Sequence, residues 1–435
     1  MNHRKKIALY GYGLFGKSAS ESFRLYWGDE YLVTAIFDRY PSGKTDPFWG
    51  LEILPADRIL PAFENGVFES VMICVTARDD RTALFERFEK MGIPLFFPGK
   101  VEDFASPECF DPDPSPEITV RRDHYRFHVY KNMLAAVADF NPKNFLFLFN
   151  EQGLVNIDNK RKYLDYFEPY LLTYPFRLKN PIPQKIIMKG SYCLIAKTYS
   201  MNYWHFTIEV ADCVYLMEKA GYTGKYIYQK KSFADQLLSM LGVTPDRLIS
   251  LESLEQHKVY VFERLYDINH EGIARMMCST EVMSEMASEI RSGLTRKTDS
   301  PRKLYVKRIG IRQLLNGDEI ARRNGFTVIV PENYSLREQM ELFYNADIVF
   351  SPHGANCTNF LYMREGTVFI EILPDRWYMD VNHDTCEACG VHYMKLRGIA
   401  SETDTRDGQY ADFYVDENAL QDLIDQAESL IEAKR

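Results

Sequence analysis

The residues best suited to chemistry fall in one stretch, Leu304 to Pro374, and in a shorter run upstream around His205. In the first, LYVKR places Arg308 just past an apolar strand-like segment, and Arg312 follows four residues on. DIVFSPHGAN then passes from a strand-like run into a turn of small residues, His353, Gly354, Ala355 and Asn356, and FIEILP embeds Glu371 in a further apolar run. Guanidinium forks and the free N–H groups of a helix start both match phosphate oxygens. A carboxylate beside them can accept from ribose hydroxyls, so the set suits a nucleoside diphosphate. Upstream, His205 and Glu209 stand four apart, neighbours on a helix that can share an orienting bond or a proton. Spacing alone also describes an interior His–Glu pair and a surface arginine beside an ordinary strand–turn–helix.

These groups need elements to bring them together. Leu304–Val306, Phe326–Val330, Asp347–Phe350 and Thr367–Leu373 read as strands, and Ser335 as the N-cap of a helix with Glu338 completing a capping box. Strands alternating with helices predict a parallel sheet, whose ligands sit beyond the carboxyl ends of the strands. Arg308, the turn from His353 to Asn356 and Glu371 converge there. Asn202, His205, Glu209 and Asp212 fall at i, i+3, i+7 and i+10, which predicts one polar stripe on an otherwise apolar helix facing a partly buried cleft. Tyr130–Phe140 has helical spacing through Met133, Leu134 and Val137.

The run from YVKR through RQLLN, GFTVIVPENYSLREQMELFYNADIVFSPHGANCTNF and FIEILP resembles the core signature of glycosyltransferase family 61. That family carries an arginine at the end of a strand, a Glu-Gln pair on the next helix, an H-G-A-x-x-T-N turn and a terminal I-E-x-x-P. Its upstream N-Y-x-H-x-x-x-E element reads NYWHFTIE here, from Asn202 to Glu209. Cys357 stands where the family usually has leucine, a small apolar exchange. The resemblance implies a GT-B-like enzyme of two Rossmann-like lobes that transfers a sugar with inversion. It further implies donor binding by Arg308, Arg312, Glu338, His353, Gly354, Ala355, Asn356, Thr358, Asn359 and Glu371. His205 is then the first candidate for the base and Glu209 the second, or the group that orients it.

The fold class expected is α/β: a Rossmann-like module over 1–102, a Pro/Asp-rich linker over 103–118, an acceptor-side lobe over 119–295 and a donor lobe over 296–435. The module opens with a strand at Lys6–Tyr10, then Gly11, Gly13 and Gly16, a helix, and a second strand ending in Asp38. This is the dinucleotide fingerprint in its proper context. FDRYP and GLEILP also resemble small modules attached to bacterial surface-sugar enzymes. An NAD-type ligand and a purely scaffolding role both remain open. Capsular or lipopolysaccharide synthesis is the setting that company implies.

At 435 residues the chain is long enough for two or three cores. A net charge of −9 argues against nucleic acid as the main partner. No apolar run is long enough for a membrane span and the N-terminus lacks a signal-peptide core, so a cytoplasmic protein is expected, its association with a membrane-bound acceptor left open. Eight scattered cysteines fit a reducing compartment. His383, Cys386, Cys389 and His392 form H-x-x-C-x-x-C-x-x-H, but a helix, a glycine and a strand predicted across that run separate the four, so no metal site is expected. No D-x-D element lies in strand context, and no cofactor is required beyond the nucleotide sugar as co-substrate and a glycan acceptor. Two other classes compete: an NAD-dependent sugar oxidoreductase, for which Tyr215-x-x-x-Lys219 has the spacing, and a non-catalytic sugar- or nucleotide-binding subunit.

Overall fold

The computed structural model describes residues 4–26, 28–41, 43–75, 78–96, 116–137, 146–150, 153–155, 185–197, 200–255, 258–270, 278–375, 377, 379–406, 408 and 410–434. Most of the linker expected at 103–118 lies outside them. The chain is α/β and forms two compact units, one of residues 1–114, 129–192 and 251–266, the other of 115–128, 193–250 and 267–435.

In the first unit, β1 (Lys5–Tyr10), β2 (Tyr31–Asp38), β3 (Ile53–Pro55) and β4 (Ser70–Ile73) make a parallel sheet in the order β3-β2-β1-β4. Ile7, Leu9, Val33 and Ile36 pack on one of its faces with Ala19 and Phe23 of helix α1 (Leu14–Tyr26), while Ala8, Tyr10, Ala35 and Phe37 pack on the other. Strands buried on both faces read as continuous apolar runs, which is why IALY and AIF are legible in the sequence.

Helical spacing at Tyr130–Phe140 misleads. Residues Tyr125–Val137 form strand β5, which pairs antiparallel with β6 (Leu146–Asn150) from Leu134↔Phe149 to Val137↔Leu146, and β6 turns into β7 (Gly153–Val155). YRFHVY is rich in aromatic and β-branched residues, and pairing overrides a helical period in a short apolar run. Residues 138–140 lie outside the described residues.

Four strands follow along the chain, β8 (Lys185–Leu194), β9 (Lys225–Tyr228), β10 (Leu248–Ser250) and β11 (Val259–His270). In the second unit, β12 (Lys303–Val306), β13 (Thr327–Ile329), β14 (Ile348–Pro352), β15 (Val368–Leu373) and β16 (His392–Arg397) form a five-stranded sheet in the order β13-β12-β14-β15-β16, parallel throughout. All five carboxyl ends therefore emerge on one edge. Tyr305 stacks on Phe350 with centroids 4.5 Å apart beneath that edge. The upstream run forms two helices, not one: Tyr203–Glu209 and Ala211–Lys219, broken where Val210 adopts φ −123°. In this unit a further helix, Leu336–Asn345, starts at Ser335 with the expected capping box.

Candidate active site

The carboxyl edge of the five-stranded sheet gathers most of the residues singled out by spacing. Strand β12 ends at Val306, so Lys307 and Arg308 emerge at the edge; Lys307 is taken by Asp318 at 2.5 Å. Arg308 gives Nε–H to the Ile311 carbonyl at 2.7 Å and Nη1 lies 3.5 Å from the His353 carbonyl. Arg312 holds φ +55°, a left-handed backbone unusual for a non-glycine residue. Its guanidinium lies 4.7 Å from the ring centre of Trp377, and its buried Nε finds no hydrogen-bond partner among the described residues. Among the described residues, neither arginine has a carboxylate at ion-pair distance. Burial pulls both guanidinium values down, and the charge of Arg308 adds to that effect at Arg312, whose value falls to about 10. Two partly desolvated cations side by side are costly unless an anion joins them.

The turn after β14 is shaped to admit Arg308. Gly354 has φ 171°, extended backbone open to any residue, yet a Cβ there would collide with the Arg308 guanidinium. From Ala355 to Tyr362 the chain runs as a 3₁₀ helix, whose first N–H groups lack partners from a preceding turn. Asn356 Nδ2 reaches Glu332 at 3.2 Å and Thr358 Oγ1 donates to the Ala355 carbonyl. Asn359 Nδ2 donates to Gln339 Oε1 at 3.0 Å. Glu338, expected as a donor-binding group, is exposed, and its carboxylate accepts from the Ser335 N–H and hydroxyl. Its neighbour Gln339 is the residue of the Glu-Gln pair that meets the turn.

Glu371 is fully buried on β15. His353 Nδ1 stands 2.5 Å from its Oε1, Asn382 Nδ2 lies 3.0 and 3.1 Å from its two oxygens, and the Tyr393 hydroxyl donates to Oε2 at 2.7 Å. Burial pushes this carboxyl up, but the His353 charge and the bonds from His353, Tyr393 and Asn382 outweigh it and hold the group below the usual glutamate range. The Tyr393 phenol is raised by burial and by the Glu371 charge. With its oxygens taken by these groups, Glu371 orients His353.

The helix Tyr203–Glu209 is docked onto the same edge. Asn202 caps it, accepting from the N–H groups of Trp204 and His205. Tyr203 donates its hydroxyl to Asn359 Oδ1 at 2.6 Å, and Trp204 Nε1–H donates to Asn382 Oδ1 at 2.9 Å. A bonded chain thus runs Trp204, Asn382, Glu371, His353. On the next position of the helix His205 Nδ1 lies 3.2 Å from Glu209 Oε1, the imidazole a quarter exposed at 24% and the carboxylate buried. The expected four-residue stripe is not kept. The break at Val210 takes Asp212 out of phase into a separate buried cluster, where it accepts from the Tyr125 hydroxyl at 2.5 Å.

Trp377, Asn382, Tyr393 and Trp204 were not singled out from sequence, and Tyr203 and Gln339 stood in the family elements without a role of their own. A lone tryptophan in the polar loop just beyond β15 was the available signal, because ligands of a parallel sheet sit at that edge.

In the N-terminal module, Gly11 takes φ +94°, and a Cβ on Gly16 would strike the Gly11 carbonyl, so both glycines are required by close approach; nothing crowds Gly13. Asp38 Oδ2 accepts from the Tyr12 N–H at 2.5 Å and Oδ1 from the Tyr40 N–H at 2.8 Å. The acid thus braces its own glycine loop. In H-x-x-C-x-x-C-x-x-H, Cys386 Sγ bonds the Val391 carbonyl, His383 pairs with Asp384 and His392 Nε2 sits 2.8 Å from Lys434 Nζ, so these three groups point to different partners.

A xylan glycosyltransferase of Arabidopsis thaliana is 30% identical over 98 residues, 21% of this chain and 20% of the relative, so the chain spans about a fifth of that protein's length. Among solved structures, a UDP-D-quinovosamine 4-dehydrogenase of Vibrio fischeri is 17% identical over 23% of this chain and 83% of its own, with a TM-score of 0.20. A Rex-family repressor, RSP, is 15% identical over 23% of this chain and 48% of its own, also at 0.20. The family model Glycosyltransferase 61 matches residues 203–370, which begin at the docked helix and end beside Glu371. Over residues 203–370 this chain carries a glycosyltransferase family 61 domain.

Proposed function

We propose that the chain is an inverting glycosyltransferase that moves a sugar from a nucleoside diphosphate donor to an acceptor hydroxyl. The observation that carries this reading is the pair Arg308 and Arg312, two partly buried guanidiniums at the sheet's carboxyl edge with no carboxylate at ion-pair distance among the described residues. A diphosphate supplies the missing negative charge, and that charge grows on the leaving oxygen as the glycosidic bond breaks. His353, oriented through Nδ1 by Glu371, has Nε2 left for the donor. Fixed cations of this kind stabilise the leaving group without a metal ion.

In the transfer step the acceptor oxygen bonds to the anomeric carbon as the bond from that carbon to the phosphate oxygen breaks. The acceptor's proton goes to His205, with Glu209 stabilising the imidazolium that forms. Trp377 offers a flat face beside Arg312 and His353 on which part of the donor stacks. We assign 119–295 and 296–435 as the two lobes of a GT-B-like enzyme and 1–102 as a Rossmann-like module. Synthesis of a bacterial surface polysaccharide is the setting that the module's resemblance favours. The self-bonded Asp38 counts against an NAD-dependent oxidoreductase, because a ribose would have to displace two backbone donors.

The test is turnover. A panel of nucleotide sugars is incubated with the full chain and release of nucleoside diphosphate is followed with and without glycan acceptors. Release from one donor that is stimulated by an acceptor and lost in Arg308→Ala supports the reading. No release from any donor, together with no nucleotide binding, contradicts it.

A further inference from the structure

A cluster outside the donor edge joins the helix Ala211–Lys219 to strand Val259–His270. His270 Nε2 lies 3.3 Å from Asp212 Oδ2 and 3.8 Å from Cys213 Sγ, and the three ligand-type atoms are all within 4.8 Å of one another. Asp212 and Cys213 are fully buried and the His270 side chain is 11% exposed. We propose that Asp212, Cys213 and His270 bind a divalent transition-metal ion, zinc by chemistry, with solvent at the fourth position.

Three features carry the proposal. The ligand types are carboxylate, thiolate and imidazole, the set zinc prefers, and ligand bonds of about 2.0–2.3 Å on a tetrahedron put donor atoms roughly 3.3–3.6 Å apart. The observed separations from His270 fall at or just above that range. Charge is the second feature. Binding releases the thiol proton to solvent, and the dication then meets one carboxylate and one thiolate, leaving a site of no net charge that tolerates burial. The third feature is support around the carboxylate. The Tyr125 hydroxyl donates to Asp212 Oδ2 at 2.5 Å and the Cys213 N–H to Oδ1 at 2.7 Å, fixing its orientation as outer partners of metal ligands do. The ion would anchor the segment directly after His205 and Glu209, far from any role on the donor phosphates.

The full chain is purified without chelator, its metal content measured, and the apoprotein titrated with cobalt(II). About one ion per chain and a thiolate-to-cobalt charge-transfer band are expected, the band lost in Cys213→Ser and His270→Gln but kept in Cys386→Ser. Tyr125→Phe weakens binding about tenfold. X-ray absorption of the wild-type zinc protein, which needs no variant to fold, should show one sulfur and the rest nitrogen or oxygen. Absence of stoichiometric metal, a band that survives Cys213→Ser, or a shell with two or more sulfurs overturns the proposal, whatever the transfer assay shows.

Discussion

His353 Nδ1 meets Glu371 Oε1 at 2.5 Å, and Glu371 has no exposure to solvent. The carboxylate is held ionised below its ordinary range, so this contact is a buried charge-assisted hydrogen bond that fixes which ring nitrogen of His353 is left for a ligand. Removing the acceptor strands buried donors, at a typical cost of about 1–3 kcal/mol each. Glu371→Gln should lower stability by roughly 3 kcal/mol in urea unfolding and weaken nucleotide binding with it.

The same pair sets a pH dependence. A carboxyl whose folded value lies below its unfolded one stabilises the protein above the unfolded value, and that contribution is lost as pH falls through the folded value. The melting temperature of the wild type should therefore fall on acidification below the ordinary glutamate range. In Glu371→Gln this part of the acid slope should vanish while the rest remains. An unchanged slope would remove Glu371 as its source.

Gly354 is a packing requirement of Arg308, because its backbone is extended and permits a side chain but its neighbour does not. Gly354→Ala should push the guanidinium aside and weaken nucleotide diphosphate binding about tenfold, a loss of about 1.4 kcal/mol. Calorimetric titration measures the affinity and circular dichroism shows the fold retained.

Arg312 opposes folding in the free protein, since its guanidinium value is depressed to about 10 by burial and by Arg308. Arg312→Met should stabilise the unliganded chain by about 1 kcal/mol after allowance for solvent screening, a rise of about 1 °C in melting temperature. The same variant should lose the rise that a nucleoside diphosphate gives the wild type. A fall in the free protein's melting temperature would contradict the reading of Arg312 as an unpaired cation.

His205→Ala should cut transfer about 10²- to 10⁴-fold while leaving the donor dissociation constant within a few-fold, and Glu209→Gln should shift the pH profile of transfer with a smaller loss. Equal losses of binding and transfer in His205→Ala would instead make it a donor-binding residue.

The strands and turn of the donor edge were legible because each is a local pattern: apolar runs buried on both faces, a capping box at Ser335 and Glu338, and small residues at His353–Asn356. The partners that give those groups their chemistry were not. Tyr393 reaches Glu371 only because β16 lies beside β15 in the sheet, with Phe369 opposite Tyr393, a register no local pattern encodes, and Asn382 reaches it from the head of the helix His383–Ala388. Glu338 and Gln339 are adjacent and both polar, and the cap's claim on Glu338 decides which of them faces the turn. The helix break at Val210 and the strand at Tyr125–Val137 show the same limit: a 3.6-residue period cannot foresee a one-residue change of phase or a pairing partner.

The most direct test of the central claim is a thermal-shift screen of UDP, GDP, CMP, NAD and NADP on the wild type and Arg308→Ala. A ligand bound only by the folded chain raises its stability by about 2.7 kcal/mol at a hundredfold excess over its dissociation constant. A rise with UDP or GDP that disappears in Arg308→Ala is the predicted result. A rise with NAD alone, kept in Arg308→Ala and lost on substitution of Gly16, would contradict the account and move the ligand to the N-terminal module.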